Sequence, residues 1–536
     1  MEIFSAGWEA PKQSDARYGV KFSPSSPPVG SAGWRIGSPK TKMKINLTDK
    51  PSDSKECRII GFFETKGLNR HSFFLSLLQE DRKYVDGLLK KKRLDEPFFI
   101  LVHLPSSPAK SILLLKLDKK NWGARKRTNA LRKIIVALKE SRVKSALFNL
   151  EDFAVPSLTE SESVRRMAED FLMAEFSFVK YKEKPKGGWP EIKEISIFVP
   201  RISKGLKGAL EEGIIIGGET NHCRILANTP GGDMTPKKLA EAALKEKAPK
   251  LKTKILDQKE IKKLGMGGII GVSRGSGEQP RFIIMEYRGG KKDERPVVFV
   301  GKGITFDSGG LNLKPGSGIC EMHMDMSGGA AVIHALAAIA KIGLKINIIG
   351  LVPAVENMPS GSSYRPGDIL KTITGKTIEA LNTDAEGRII LADALGYAQK
   401  YKPKIIIDVA TLTGAAIVAL GQRVNAVFAT SPELEKLSRE VGEKSGDEAW
   451  PLPLWDDYAE EIKSDFADIA NIGKNRYGDA IIGAIFLKQF VGDFPWVHLD
   501  IAPTMTPIEN QYLGKGATGA GTRFLVELAK RYQTKN

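Results

Sequence analysis

A continuous apolar run at residues 296–300 (PVVFV) breaks off into Gly301-Lys302-Gly303. A run without polar alternation marks a strand covered on both faces, so the chain must fold into layers with helices above and below a sheet. Lys302 then stands at the carboxyl end of such a strand, where open α/β sheets place their sites. Residues 326–342 are small and apolar and predict a helix, which sets Asp325 at a helix N-terminus, a position that favours an anion. Asp307 and Lys314 lie between the two elements in glycine-broken backbone. Ionisable groups beside such apolar segments need partners.

The heptapeptide Asn382-Thr383-Asp384-Ala385-Glu386-Gly387-Arg388 follows a predicted strand at residues 377–381. An Asp and a Glu two apart in an extended loop can aim both carboxylates at one point, and hard oxygen ligands there favour a divalent cation. An ion-pair network would use the same residue types. Four carboxylates converging on one place repel one another unless a cation offsets them, however, and a desolvated lysine can lose its proton and become a ligand.

At these residues the chain resembles the leucine aminopeptidase family, the dinuclear-metal cytosol aminopeptidases of peptidase family M17. NTDAEGR is the family's signature, and GKGITFDSGGLNLKP followed by a Met-x-x-Asp-Met run is its second block. The resemblance continues through residues 352–368, 410–414, 467–473 and 498–502, and covers roughly residues 205–532. It implies that Lys302, Asp307, Asp325, Asp384 and Glu386 bind two divalent metal ions per subunit, zinc or manganese, with magnesium or cobalt as alternatives. It implies a metal-dependent aminopeptidase that releases N-terminal residues by attack of a metal-bridging water, with the free α-amine of the peptide on a metal. Lys314 would donate to the developing oxyanion, and Arg388 would hold a bicarbonate that relays the proton; short of that role, Arg388 would simply neutralise Glu386. Met322, Thr411, Gly414, Ala502 and Met505 match the positions that line the first-residue pocket, and their apolar or small character suits Leu or Met. The resemblance also implies a homohexamer with the C-terminal domains at its centre. His323 stands where relatives carry Lys or Arg, and is expected to point away from the metals or to bond locally. His334 and His498 carry no ligand spacing.

The pattern predicts an N-terminal α/β domain at residues 57–204, followed by a larger α/β catalytic domain at residues 205–536 with a mixed, mostly buried sheet flanked by helices. Strands are expected at residues 98–103, 111–117, 145–148, 195–199, 346–352, 404–410 and 496–501, and helices at 127–140 and 162–175, with a helix at 206–226 linking the domains. Residues 1–56, rich in Ser, Gly and Pro, read as a flexible tail. The glycine-rich residues 265–271 follow a helical run rather than a strand, so they read as a helix end and turn, not as a dinucleotide fingerprint.

Three cysteines without metal spacing exclude a disulfide framework and point to a reducing compartment. With no run near 18 apolar residues and no leader pattern, a cytoplasmic protein without a membrane segment is expected. Charge is uneven: residues 1–200 carry 37 Lys and Arg against 24 Asp and Glu, or +13 of the chain's +18. The clusters Lys90-Lys91-Lys92-Arg93, Arg125-Lys126-Arg127 and Arg132-Lys133 leave two alternatives to the enzyme reading open: a nucleic-acid-binding regulator, or a catalytically silent paralogue.

Overall fold

The strand ending at Gly301 lies inside a mixed sheet of nine strands, as its unbroken apolar run requires. In this computed structural model, which describes residues 43–50, 55–90, 98–104, 106–107 and 109–534, Val297–Gly301 is wholly buried between Ile405–Ala410 and Asn347–Asn357, parallel to both. The sheet runs outward from Ile405–Ala410 through Trp496–Asp500 and Asn425–Ala429 to Ala449–Pro451. On the other side it runs through Arg281–Arg288 to Leu251–Leu256, and Gly303–Asp307 pairs with the far end of Asn347–Asn357. Two apolar cores cover its faces, one built on the helix Ser327–Ile342 and the other on the helix Glu386–Ala398. Ser327–Ile342 belongs to a stretch apolar and long enough to cross a membrane, but 89 % of that stretch's apolar window is buried inside the protein, which makes it a core helix.

A second sheet of six strands has the order Lys44–Thr48, Glu194–Phe198, Ser145–Asn149, Cys57–Phe62, Ser111–Lys116, Phe99–His103. All neighbours are parallel except the last pair. The helix Lys204–Asn228 joins the two halves, packed on Glu160–Glu175 of the first and on Ser327–Ile342 of the second. Its Gly213 permits the close approach, since a Cβ there would lie 2.2 Å from the Arg165 carbonyl oxygen.

Two expectations need correction. Residues 44–48, assigned to the tail, form an edge strand whose Ile45 is buried in the first core and whose ladder is completed by Glu194–Phe198, so apolar alternation outweighs the polar composition around it. Residues 1–42 lie outside the described residues, as do Lys91, Lys92 and Arg93 of the first basic cluster. The second correction concerns the remaining basic clusters. Arg127 and Arg132 are buried on the inner face of Ala124–Glu140. Arg127 donates to the carbonyl oxygens of Phe153 (2.7 Å) and Ser163 (2.9 Å), and Arg132 pairs with Asp170 at 2.9 Å. Neither can reach a phosphate. Lys126, paired with Asp118, and Lys133, over the Phe99 ring, remain exposed.

Burial alone would push the Asp170 carboxyl up, but Arg132, Arg166, Arg523 and Arg127 more than offset it and hold it below the usual value. A depressed carboxyl stabilises the fold above its unfolded pKa and loses that contribution as pH falls below it. Arg132→Met is therefore expected to cost about 1–3 kcal/mol at neutral pH, because it removes the hydrogen-bonded partner of a buried carboxylate while Arg166, Arg523 and Arg127 still offset part of its charge. Urea denaturation checks this, and the deficit should shrink as pH drops below about 4.

Candidate metal centre

Three loops meet at the carboxyl ends of the central strands. The chain leaves Val297–Gly301 at Lys302, and the lysine side chain crosses to the loop before Ser327–Ile342, where Nζ lies 2.8 Å from both Asp325 carboxylate oxygens. It also donates to the Thr411 carbonyl oxygen at 2.9 Å and pairs with Glu386 at 3.0 Å. Lys314 reaches Asp307 at 2.9 Å and Asp384 at 2.5 Å. Asp307, Asp384 and Glu386 bring one carboxylate oxygen each within 4.8 Å of one another, and Asp325 joins them through Lys302. The five expected ligands and Lys314 are thus one cluster, all but Asp384 and Lys314 deeply buried.

Local backbone fixes these positions. Glu386 is the first residue of Glu386–Ala398, and Gly387 follows it with its α-carbon against Lys302: a Cβ there would lie 2.3 Å from Lys302 Cε. Gly309, at φ +87°, turns the Asp307 loop where a side chain would meet Asp384 Oδ1 at 2.9 Å.

Side chains that sequence reasoning missed hold the loops. Asn357 donates to Asp307 Oδ1 and to the Thr383 carbonyl oxygen, both at 2.9 Å. Tyr364 donates to the same carbonyl oxygen, and Asn312 and Thr383 bond each other through main chain and side chain. Asn471 accepts from the Leu381 and Asn382 amides and donates to the Asn382 carbonyl oxygen at 2.6 Å. Each sits in a block that the family resemblance covers, which was the available signal. Asp500 ties the pocket loops, accepting from the amides of Leu412, Thr413 and Ala502.

Thr411 donates to Asp325 Oδ1 at 2.6 Å, which brings one expected pocket residue to the cluster's edge. Met322 opens the turn that leads to Asp325, Gly414 begins the helix Gly414–Leu420 with open space where a Cβ would project, and Ala502 begins the turn Ala502–Thr504. Met505 is partly buried against the core. His323 is not in the ligand cluster, and burial pushes its imidazole below the usual value. Arg388 does not neutralise Glu386. It donates to the Asn471 carbonyl oxygen at 2.8 Å and pairs with Asp479 at 3.3 Å, and its buried Nε has no hydrogen-bond partner among the described residues.

Electrostatically the cluster is poised for cations. Burial and the neighbouring Asp307 push the Glu386 carboxyl up, and burial does the same to Asp325. Burial would lower the Lys302 amine, but Asp325, Glu386 and Asp307 outweigh it and hold the ammonium. Among the described residues, the buried Glu386 Oε2 has no hydrogen-bond partner, while Glu386 Oε1, Asp325 Oδ2 and Asp384 Oδ1 meet lysines as ion pairs without hydrogen-bond alignment. Orphaned carboxylate oxygens, hard donors and buried negative charge fit divalent cations.

Residues 221–526 match the model of the cytosol aminopeptidase family catalytic domain, and residues 98–185 match that of its N-terminal domain. A probable cytosol aminopeptidase of Geobacter sulfurreducens is 47 % identical over 375 residues, 69 % of this chain and 75 % of that protein. One from Alkalilimnicola ehrlichii is 39 % identical over 501 residues, 91 % of this chain and all of its own length. Among solved structures, a tomato leucine aminopeptidase mutant superposes with a TM-score of 0.79 at 30 % identity, covering 91 % of this chain and 96 % of that one. The bottromycin maturation enzyme BotP in complex with Mn gives 0.76 at 28 % identity, covering 89 % and 99 %.

Proposed function

The chain belongs to the cytosol aminopeptidase family, and from that membership as a metal-dependent aminopeptidase we propose that it releases single N-terminal residues, Leu or Met by preference, from peptides with a free amino end. The observation that carries this reading is the meeting of Asp307, Asp384 and Glu386 within 4.8 Å, with Lys302 bridging to Asp325. Those five residues would hold two divalent ions, zinc or manganese, with magnesium or cobalt as alternatives; manganese draws support from the metal bound by BotP. Bound ions supply Lewis acidity, which polarises the scissile carbonyl and lowers the pKa of water.

The chain's own groups do the rest. Lys314, the more exposed of the two lysines, swings from Asp384 to donate a hydrogen bond to the carbonyl oxygen as charge develops there. Arg388, braced by Asn471 and Asp479, presents its free Nε to a bicarbonate that carries the proton from water to the leaving amine. Met322, Thr411, Gly414, Ala502 and Met505 receive the first side chain; the open space at Gly414 and the two thioethers suit an unbranched or γ-branched residue. The names of the relatives support a cytoplasmic location, and the family supports a homohexamer.

Leucine amide and leucine anilide hydrolysis by chelator-treated protein, with Zn²⁺, Mn²⁺, Co²⁺ or Mg²⁺ returned singly, tests the reading. Activity should vanish on chelation and return with at least one ion, and acetyl-leucine anilide should not be cleaved. Efficient turnover of the acetylated substrate would sink the chain-end specificity.

A pH effect follows from Lys302. Its amine becomes a ligand only by losing the proton that the surrounding carboxylates hold on it, and raised Asp325 and Glu386 add protons to be displaced. Metal loading is therefore expected to release protons and to strengthen as pH rises from about 6 to about 9. Calorimetry in buffers of different ionisation enthalpy reads the protons directly; affinity independent of pH with no proton release would remove Lys302 from the ligand set.

A further inference from the structure

Four further metal-binding side chains gather outside the carboxylate cluster. Glu219 and His222 stand three residues apart on Lys204–Asn228, which places both on one helix face. His334 comes from the middle of Ser327–Ile342, and Glu246 caps the end of Pro236–Lys245. One donor atom from each lies within 4.8 Å of the others. Glu219 Oε2 is 2.8 Å from His334 Nδ1, Glu219 Oε1 is 3.4 Å from His222 Nδ1, and the two imidazole rings are 5.6 Å apart.

Glu219 and His334 are 4 % and 3 % exposed and His222 and Glu246 are half-buried, so the group is anchored in the interior with one edge toward the surface. It is incompletely bonded: among the described residues the buried His334 Nε2 has no hydrogen-bond partner, and His222 Nδ1 meets Glu219 only as a contact without hydrogen-bond alignment. Among the described residues its one paired ammonium, Lys341 Nζ, stands 2.6 Å from Glu219 and 3.1 Å from Glu246 on a side chain that is one-third exposed. With neutral imidazoles, two carboxylates against one ammonium leave a negative charge, and the ammonium can withdraw to water along its flexible stem.

We propose that Glu219, His222, Glu246 and His334 form a second divalent-metal site, a two-histidine, two-carboxylate set suited to zinc, in which the ion takes the place of the Lys341 ammonium. Glu-x-x-His on one helix facing donors from a neighbouring helix is a way that helical proteins build metal sites. Imidazole and carboxylate are both zinc ligands, at about 2.0–2.2 Å, and four such donor atoms already within 4.8 Å of one another would draw in to surround one ion. The ion would staple three helices, among them the one that joins the two sheets and the one that starts just beyond Asp325. Its role is structural, because all four positions are filled by protein.

The test reads a difference of one ion, whatever number the carboxylate cluster holds. Full-length protein stripped with chelator, reloaded with zinc alone and desalted should retain one more zinc per chain than His222→Ala/His334→Ala treated in the same way. Lys341→Met, which removes the competing cation and leaves every ligand in place, should hold that ion more tightly in equilibrium dialysis. Glu386→Ala reloaded with Co²⁺ should show the intense visible absorption of tetrahedral cobalt, and adding His334→Ala should abolish it. Equal zinc in wild type and the double variant, or zinc affinity unchanged by Lys341→Met, would overturn the proposal.

Discussion

Glu386→Ala is expected to abolish peptide hydrolysis by emptying the cluster of metal, with the fold kept. The loss should exceed the roughly 10²–10³-fold that removal of a single oxyanion donor costs, because the Lewis acid itself goes. Folding should survive for an electrostatic reason. Glu386 is buried and one of its oxygens has no hydrogen-bond partner among the described residues, while Lys302, which it pairs with at 3.0 Å, keeps Asp325 at 2.8 Å. No buried ammonium is left alone. Asp384→Ala should behave alike, since Lys314 keeps Asp307 at 2.9 Å. Metal content per chain, read beside near-ultraviolet circular dichroism, separates loss of metal from loss of structure. A folded Asp384→Ala protein that still bound as much metal as the wild type, as tightly, would show the ligand assignment to be wrong.

Gly387→Ala should be nearly as damaging, although it adds only a methyl group. In an open helix the change would stabilise by up to about 1 kcal/mol through helix propensity. Here the methyl would sit 2.3 Å from Lys302 Cε and 2.7 Å from Nζ, and those atoms cannot step aside without leaving Asp325, Glu386 and the Thr411 carbonyl oxygen. Steric exclusion outweighs propensity at this position. The expected outcome is a protein that still folds but melts at a lower temperature, because the buried ammonium loses partners, and whose kcat/KM falls by about 10² or more, as misplacement of a site group by ~1 Å can cause. Wild-type kcat/KM in Gly387→Ala would mean that Lys302 need not occupy this position.

Much of the site was legible because its determinants are local. An apolar run that stops at Gly-Lys-Gly says where Lys302 must stand, and the Asp-x-Glu spacing after a strand says that two carboxylates can share a point, although the extended loop expected there is a turn that runs into the helix Glu386–Ala398. The α/β class, an N-terminal α/β part followed by a larger one with a mixed sheet, was legible for the same reason, since strand and helix periods are written in neighbouring residues. The edge strand Lys44–Thr48 was missed although Ile45 and Leu47 alternate with polar residues, because five residues of alternation inside a stretch rich in Ser, Gly and Pro are a short signal, and pairing with Glu194–Phe198 is what commits them to a sheet.

What the sequence determined by itself is the set of chemical groups and the backbone breaks that aim them: Lys302, Asp307, Asp325, Asp384 and Glu386, with glycines where side chains cannot fit. Tertiary structure alone decided which charges lie inside. Arg127 and Arg132 look the same in sequence as Lys126 and Lys133, yet the first two are buried against Phe153, Ser163 and Asp170. Asn471 clamps Leu381 and Asn382 from some 90 residues away, and His334 meets Glu219 across 115. Contacts of that span depend on how whole helices and sheets pack, and formal charge is the same whether a group ends in water or in the core; desolvation, which gives these groups their partners, exists only once the fold has closed around them.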